Sequence, residues 1–273
     1  MSDSAGTECA ITDREFADFR DFVFQAAGIS LSPAKKALVS GRLMKRLRHY
    51  QLSSYKEYFD FITSGREPAE LQTALDLLTT NETYFFREPQ HFDFLGKTIL
   101  AAQPPGQTFR IWSAACSSGE EPYTLAMVLA DSLKTTPWEI LASDISSTVL
   151  SKAQTGHYSV ERAEKIPPAF LKAYCLKGIG PQGGTFLIDP KLRSRIRFMS
   201  VNLNASLPQV GIFDVIFLRN VMIYFNAETK RQVVARLLSV LKPGGYFFVS
   251  HSETLHGVTD ALKMVQSSIY RKL

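Results

Sequence analysis

The chain has 273 residues, of which 45% are hydrophobic and 21% are charged, and its net charge at pH 7 is +5. This composition is typical of a globular protein and argues against intrinsic disorder. The sequence has no run of 18 apolar residues and no secretion-signal pattern at its N-terminus, so we expect a cytoplasmic protein without membrane insertion. Cys9, Cys116 and Cys175 are widely and irregularly spaced, which predicts neither a disulfide framework nor a metal site.

Residues 1–80 predict a small all-α domain with four helical patterns. Residues 12–15 have the composition of a capping box, which predicts the start of the first helix. Ser32 and Pro33 suit the N-cap and the first position of the second helix, residues 34–49.

One face of the helix 34–49 is basic, and the window 22–56 contains no acidic residue. A charged outer face is usually only solvated, but a face with several bases and no acid can dock an anionic partner. Residues 1–90 as a whole contain more acids than bases, so the basic patch is local. The bases predicted on this face are Lys35, Arg42, Lys45, Arg46 and Arg48.

Residues 81–107 are expected to link the helical domain to a second domain. Asn81 and Thr83 are polar residues next to an aromatic run, residues 84–86, and Arg87 follows that run directly. A helix that starts here and buries the aromatic side chains is one interpretation. It explains the aromatic residues but not the presence of Arg87 beside them.

The stretch 108–146 predicts a buried strand, a turn of small residues, a long helix and a second strand that ends at Asp144. Small side chains in the turn, residues 113–119, allow backbone amides to approach a ligand closely. An acid roughly 20 residues beyond such a turn is the usual acceptor for ribose hydroxyls. A nucleoside-binding α/β unit is therefore expected, and an α/β sheet with an ordinary turn is the alternative.

Strands and helices alternate from residue 108 onward, which predicts a doubly wound, mostly parallel sheet. Ligands of such sheets bind beyond the carboxyl ends of the strands. We therefore expect the polar residues that follow each predicted strand to surround one crevice. These are residues 113–120, Asp144, Asn202, Arg219 and Asn220.

A glycine-rich segment interrupts this alternation. Gly178, Gly180 and Gly183 match the spacing of a dinucleotide-binding turn, but no strand precedes them and no helix follows. Together with Gly184 and the strand pattern at residues 185–188, they predict instead a β-hairpin inserted into the sheet domain.

Several longer motifs occur in a fixed order along the chain: TTNETYFFRE, IWSAACSSGEEPY, ASDIS, VNL, FLRNVMIYF and LKPGGYFFVSHSE. Together they resemble the motifs of the CheR-type glutamate O-methyltransferases, which modify chemotaxis receptors. The resemblance spans residues 12–271 and implies a class I S-adenosylmethionine (SAM)-dependent methyltransferase. That fold is α/β, with a Rossmann-like, doubly wound sheet in residues 108–273 and a small all-α N-terminal domain. An antiparallel β-subdomain would be inserted at about residues 176–198.

The same resemblance implies roles for individual residues. Glu120 would line the cofactor site, Asp144 would accept the ribose hydroxyls, and Arg87 and Tyr224 would lie near the transferred methyl group and act in catalysis. The complete set of cofactor contacts implied by the resemblance is Asn81, Thr83, Arg87, Glu120, Asp144, Asn202, Leu203, Arg219 and Asn220.

The implied substrate is a glutamate side chain on a cytoplasmic helix of a chemoreceptor, which becomes a methyl ester during adaptation. The cofactor SAM would leave as S-adenosylhomocysteine. Glutamate has a pKa near 4.3 and is already an anionic nucleophile at pH 7, so no general base is required. The motifs offer no Ser-His-Asp set.

The resemblance also implies how the receptor is recognised. The basic helix would bind the receptor through Arg42, Lys45, Arg46 and Arg48. The hairpin that contains Gly178, Gly180, Gly183 and Gly184 would bind a C-terminal receptor pentapeptide. We expect a monomer that binds no nucleic acid.

Three alternatives remain open. A nicotinamide oxidoreductase would also need an acid such as Asp144, but the first turn lacks its glycine fingerprint. A SAM-dependent methyltransferase of another acceptor, such as nucleic acid, would use the basic helix, but phosphate binding needs more than one isolated patch. A non-catalytic scaffold that binds SAM or its product predicts loss of Arg87 or Tyr224, and both are present.

Overall fold

The computed structural model describes residues 10–104 and 106–273. Cys9, the N-terminal segment before it and Pro105 lie outside the described residues. The chain divides into two compact units, Met1–Thr80 and Asn81–Leu273. No helix within the described residues is both long enough and apolar enough to cross a membrane.

The first unit is all-α. Thr12 and Glu15 form the expected capping box, because each side chain bonds to the backbone N–H of the other residue. Ser32, in contrast, makes no side-chain cap. Its carbonyl accepts the Lys35 N–H and closes a 3₁₀ turn, so the second helix begins later than predicted. The helices are α1 (Asp13–Ala27), α2 (Lys36–His49), α3 (Tyr55–Thr63) and α4 (Pro68–Leu78).

A buried ion pair holds α2 against α4. Glu70 is only 3% exposed, and Arg46 donates to its two carboxylate oxygens at 2.8 and 2.5 Å. Tyr58 and Tyr50 donate to the same carboxylate at 2.6 and 3.1 Å. Burial alone would raise the pKa of Glu70, but these hydrogen bonds outweigh it and hold the pKa below its ordinary value.

The second unit is built on a seven-stranded sheet in the order β6-β2-β1-β7-β8-β10-β9. The first five strands of that order are parallel, and the last two add antiparallel pairs. The doubly wound, mostly parallel prediction is confirmed. The strands are β1 (Phe109–Ser113), β2 (Trp138–Asp144), β6 (Ile196–Ser200), β7 (Phe213–Phe217), β8 (Leu241–Phe248), β9 (Leu262–Gln266) and β10 (Ile269–Lys272).

Six α-helices of this unit connect or cover the strands. They are α5 (Pro89–Phe94), α6 (Glu120–Ser132), α7 (Ser147–Thr155), α8 (Pro168–Tyr174), α9 (Pro190–Arg193) and α10 (Ala227–Ser239). The spacing of Leu125, Val128 and Leu129 along one face is typical of a helix, and all three are buried in α6. Nearly every other residue of its first ten is buried as well, because β2, α9 and the segment 95–102 all pack against it.

A second, three-stranded antiparallel sheet has the order β3-β5-β4. Its strands are β3 (His157–Ser159), β4 (Cys175–Lys177) and β5 (Thr185–Ile188). The predicted hairpin is the β4–β5 pair. The predicted bounds, about 176–198, were wrong at both ends. The sheet already begins at β3, and residues 196–198 belong to β6, because β6 pairs with β2 in the main sheet.

We predict that Glu70→Gln destabilises the first unit by about 3 kcal/mol at pH 7, because the partly buried Arg46 and the buried Tyr58 lose their anionic partner. Since the pKa of Glu70 is depressed, its stabilisation exists above the ordinary value and is lost as the pH falls through the folded-state value. The difference in stability between the variant and the wild type should therefore narrow as the pH falls below the ordinary pKa of a glutamate. Hydrogen exchange of the α2 and α4 amides in both proteins measures this loss of stability and its pH dependence.

Asp60→Asn is the control for that variant, because the ion pair of Asp60 with Lys56 is exposed to solvent. Equal protection in the Glu70 variant and the wild type would show that the ion pair does not hold α2 on α4.

Candidate functional site

The turn after β1 is tied to the end of β2 through Asp144. The Ser117 N–H donates to Oδ2 of this carboxylate at 2.9 Å, and the Ser146 N–H donates to Oδ1 at 3.0 Å. The Cys116 N–H also bonds to the Ser143 carbonyl at 2.8 Å. Asp144 is buried and points its acceptors at the turn, so the acid and the turn predicted from the sequence do meet at the carboxyl ends of two adjacent strands.

Glu120 begins α6 and is fully buried. Ser118 Oγ donates to its Oε2 at 2.7 Å, and Arg162 Nη1 donates to its Oε1 at 2.6 Å. Burial raises the pKa of Glu120, while the bonds from Ser118 and Arg162 act in the opposite direction. Gly119 precedes it with φ +97°, and an added Cβ would lie 2.8 Å from the Tyr158 hydroxyl, so only glycine fits.

Residues 81–88 run beside this turn. The Asn81 carbonyl accepts from Ser117 Oγ at 2.8 Å, and the Thr83 carbonyl accepts from Arg162 Nη1 at 3.0 Å. The structure therefore brings Asn81 and Thr83 next to the turn that bonds Asp144. The interpretation of a helix start with three core aromatics was wrong. The segment is not helical before Pro89, and Tyr84 is 45% exposed.

Arg87 is half-buried at the end of this segment. Its Nη1 donates to the Glu82 carbonyl at 2.9 Å, and its guanidinium lies 5.6 Å from the centre of the Tyr84 ring. The exposed ring and the guanidinium together form a cationic, solvent-facing edge.

Arg219 follows β7 and is only 5% exposed. Its Nε and Nη2 donate to Glu88 Oε2 at 3.3 and 2.9 Å, and Nη1 donates to Glu121 Oε2 at 2.9 Å. Nη2 also donates to the Arg87 carbonyl at 2.5 Å. All three guanidinium nitrogens thus bond to protein oxygens, and the side chain links β7, α6 and the segment 81–88.

The loop after Arg219 is held by Glu253, a residue that the sequence reading did not single out. Its carboxylate accepts the N–H groups of Asn220 at 3.0 Å and Ser250 at 2.9 Å. Asn220 has φ +58°, a left-handed conformation that asparagine tolerates better than most residues. Tyr224 lies in the following 3₁₀ turn and is partly buried.

Residues 201–203 lie beside the acid after β2, because the Val201 N–H donates to the Asp144 carbonyl at 3.1 Å. Asn202 Oδ1 accepts the Asn204 N–H at 2.9 Å, and Leu203 is buried. Asn202, Leu203 and Asp144 therefore belong to one edge of the sheet, as the topology rule predicts.

A buried Glu-His-Ser arrangement lies near Arg219. His91 Nε2 is 2.7 Å from Ser268 Oγ, and Glu88 Oε2 is 3.4 Å from His91 Nδ1. The spacing resembles a hydrolase triad, which the sequence reading did not find. However, His91 Nδ1 makes no hydrogen bond, and burial lowers the pKa of His91 to about 3. His91 is therefore a neutral, buried hydrogen-bond partner of Ser268, and the arrangement does not form an activated nucleophile.

Glu88 and His91 also lie with His251 in a group whose potential metal-ligand atoms are within 4.8 Å of one another. Arg219 already neutralises the Glu88 carboxylate, and its positive charge opposes a second cation at this position. The presence of Glu88 in this group is therefore explained by its ion pair with Arg219 and does not indicate a metal site.

The four predicted docking bases divide into two pairs. Arg42 donates to the Leu77 and Thr79 carbonyls at 3.1 and 2.7 Å, and Arg46 bonds to Glu70, so both side chains serve the first unit itself. Lys45 and Arg48 are exposed. The charged face is therefore narrower than the sequence pattern indicated.

The glycine-rich hairpin is tightly packed at Gly178, where an added Cβ would lie 2.0 Å from the Gln182 carbonyl oxygen. Gly180, Gly183 and Gly184 are exposed. The hairpin borders a cavity of about 430 Å³ whose wall includes Leu176.

The contribution of the buried Arg219 guanidinium to stability can be measured by removing it. We predict that Arg219→Gln destabilises the second unit by about 3–5 kcal/mol, because Glu88 and Glu121 are left without their partner. Chemical unfolding of the variant measures the loss. Arg231→Gln is the control, since Arg231 makes an exposed ion pair on α10. An unfolding midpoint equal to that of the wild type would contradict the linking role.

Comparison with known protein families matches almost the whole chain. Residues 81–271 match the family described as "CheR methyltransferase, SAM binding domain", and residues 14–79 match "CheR methyltransferase, all-alpha domain". The border between the two matches coincides with the border between the two compact units.

Individual relatives are similar over nearly their full lengths. The chain is 38% identical to the chemotaxis protein methyltransferase of Escherichia coli (strain K12), covering 96% of this chain and 91% of that one. It is 39% identical to chemotaxis protein methyltransferase 2 of Pseudomonas aeruginosa, covering 95% and 93%. The chain therefore belongs to the CheR methyltransferase family and is a SAM-dependent methyltransferase with the class I fold.

Proposed function

We propose that this protein transfers the methyl group of SAM to glutamate side chains on the cytoplasmic helices of chemoreceptors, in chemotactic adaptation. The observation that supports this most is the similarity to chemotaxis protein methyltransferases over 96% of the chain. The methyl ester product and the receptor substrate are the parts of the proposal that need an experiment.

We assign the cofactor contacts to the edge of the sheet where Asp144 ends β2. Asp144 accepts the ribose hydroxyls, and Asn202 with Leu203 flanks the adenine. Glu120, at the start of α6, lies toward the amino-acid end of the cofactor, with Asn81 and Thr83. This assignment is supported by the bonds of Asp144 and Asn81 to Ser117 in the turn. It is also supported by Arg162, which bonds to both Glu120 and Thr83.

In this proposal Arg87 and Tyr224 act on the acceptor. Arg87 has a solvent-facing guanidinium, which suits an incoming carboxylate. Tyr224 is partly buried in the turn after Asn220 and has a hydroxyl that can hydrogen-bond the acceptor. Arg219 and Asn220 contribute by shaping the loop.

The chemistry needs no proton transfer. An ionised glutamate oxygen attacks the methyl carbon, the carbon–sulfur bond breaks, and its electron pair goes to sulfur. The products are a glutamyl methyl ester and S-adenosylhomocysteine. Because the nucleophile is already anionic, in-line alignment of oxygen, carbon and sulfur is the main contribution of the protein.

We further propose that the exposed bases of α2 dock the acidic receptor helix, with Lys45 and Arg48 as the principal contacts. Arg42 and Arg46 would support this surface indirectly, since their internal bonds hold α2 on α4. The hairpin with Gly178, Gly180, Gly183 and Gly184 is proposed to bind a receptor C-terminal pentapeptide.

Incubation with methyl-labelled SAM and receptor-containing membranes tests the function. We expect label in the receptor as a base-labile methyl ester. Asp144→Ala should abolish it and weaken calorimetric SAM binding about 100-fold, because the acceptor of two hydroxyl hydrogen bonds is lost. Base-stable label would identify another acceptor, and unchanged SAM affinity in the variant would refute the ribose assignment.

The docking surface is tested by a double variant, Lys45→Ala with Arg48→Ala. We expect methyl transfer to receptor membranes to fall about 10-fold at low salt while SAM affinity is unchanged, because only the electrostatic encounter is weakened. Lys97→Ala with Lys134→Ala is the matched control, since both of these lysines are exposed in the other unit. Equal transfer rates for the two double variants would refute the docking role of α2.

A further inference from the structure

Arg162 bonds to both the start of α6 and the segment 81–88 through a single nitrogen. Its Nη1 donates to Glu120 Oε1 at 2.6 Å and to the Thr83 carbonyl at 3.0 Å. It comes from the 3₁₀ turn Val160–Ala163, which directly follows β3 of the small sheet. No strand-end rule or motif spacing points to it.

The charge balance at Glu120 depends on this arginine. Glu120 is fully buried, and its two oxygens accept from Ser118 and Arg162, of which only Arg162 is charged. A buried carboxylate without a cation is costly and tends to become protonated. Arg162 itself is about half exposed, so its own charge remains solvated while it stabilises the buried acid.

The same stretch of chain anchors the turn from a second side. The Tyr158 hydroxyl donates to the Ser118 carbonyl at 2.7 Å, and the Tyr158 ring lies 5.0 Å from Phe85 between ring centres. The backbone of β3 is itself fixed by pairing with β5. Arg162 is therefore held close to Glu120 by packing and not only by its own ion pair.

We propose that Arg162 is a positioning residue of the SAM site, which keeps Glu120 ionised and fixed in one orientation and holds Thr83 beside it. The role rests on the proposed assignment of Glu120 to the cofactor's amino-acid end. There the carboxylate meets the ammonium group of SAM, a contact that requires the ionised acid. The positioning role of Arg162 does not depend on the identity of the methyl acceptor.

The proposal predicts how SAM binding responds to pH. Burial raises the pKa of Glu120, and Arg162 opposes that rise, so loss of Arg162 should raise the pKa further. Tyr158 and Cys116 also interact electrostatically with Glu120, and burial raises the pKa of both well above the usual values. Both stay neutral near pH 7, and the titration of the amino group of SAM is common to variant and wild type, so the difference in pH response between the two proteins reports Glu120.

The test is calorimetric titration of the full chain with SAM at about pH 6 and pH 8. We expect Arg162→Gln to raise Kd about 10-fold at pH 8, and further at pH 6, where more Glu120 is protonated. Arg162→Lys should recover part of the affinity and most of the wild-type pH response, because it restores the charge without the forked geometry. Arg231→Gln, at an exposed ion pair, should bind SAM as the wild type does.

A double-mutant cycle separates positioning from a general structural role. In a Glu120→Gln background, Arg162→Gln should raise the Kd for SAM less than about twofold, because its effect passes through the carboxylate that Glu120→Gln has removed. An equal loss in both backgrounds, or wild-type affinity of Arg162→Gln at both pH values, would overturn the proposal. Wild-type affinity of Glu120→Gln alone would instead overturn the assignment of Glu120 and the inference together.

Discussion

The buried guanidinium of Arg219 is the interaction on which the candidate site depends. It joins the carboxyl end of β7, the first turn of α6 and the end of the segment 81–88 through bonds to Glu121 and Glu88. A buried ion pair is favourable only when its remaining donors are also satisfied. Here each nitrogen has an oxygen partner, so this ion pair fixes the segment that presents Arg87 together with the buried ring of Phe85.

The turn between β1 and α6 follows from a different constraint. A pyrophosphate-binding turn must bring several glycine amides close to the ligand, but SAM has no pyrophosphate. In this chain the Ser117 N–H bonds to Asp144, and Gly119 is required by the neighbouring Tyr158 hydroxyl. The departure from the dinucleotide fingerprint therefore has two local causes, a bond that orients Asp144, the acid proposed to bind the ribose, and the close packing of β3.

Much of the fold was predictable because hydrophobic periodicity and strand order are local signals. They predicted the parallel sheet, the helices and the polar strand ends near Asp144. Arg162 and Glu253 were not predictable, because each bonds to a residue more than 30 positions away that no spacing rule connects to it. The basic face of α2 was overestimated for the same reason, since the partner of Arg46 is Glu70 on another helix.

The absence of a strong base in the proposed mechanism agrees with the state of the histidine nearest to Arg219. Burial lowers the pKa of His91 to about 3, so the imidazole is neutral at pH 7 and a weak proton acceptor. Such a residue could not activate a hydroxyl or an amine. A carboxylate acceptor makes no such demand, because its oxygen is already charged. A site that orients charged groups and leaves its buried histidine inert is therefore suited to methylating a glutamate.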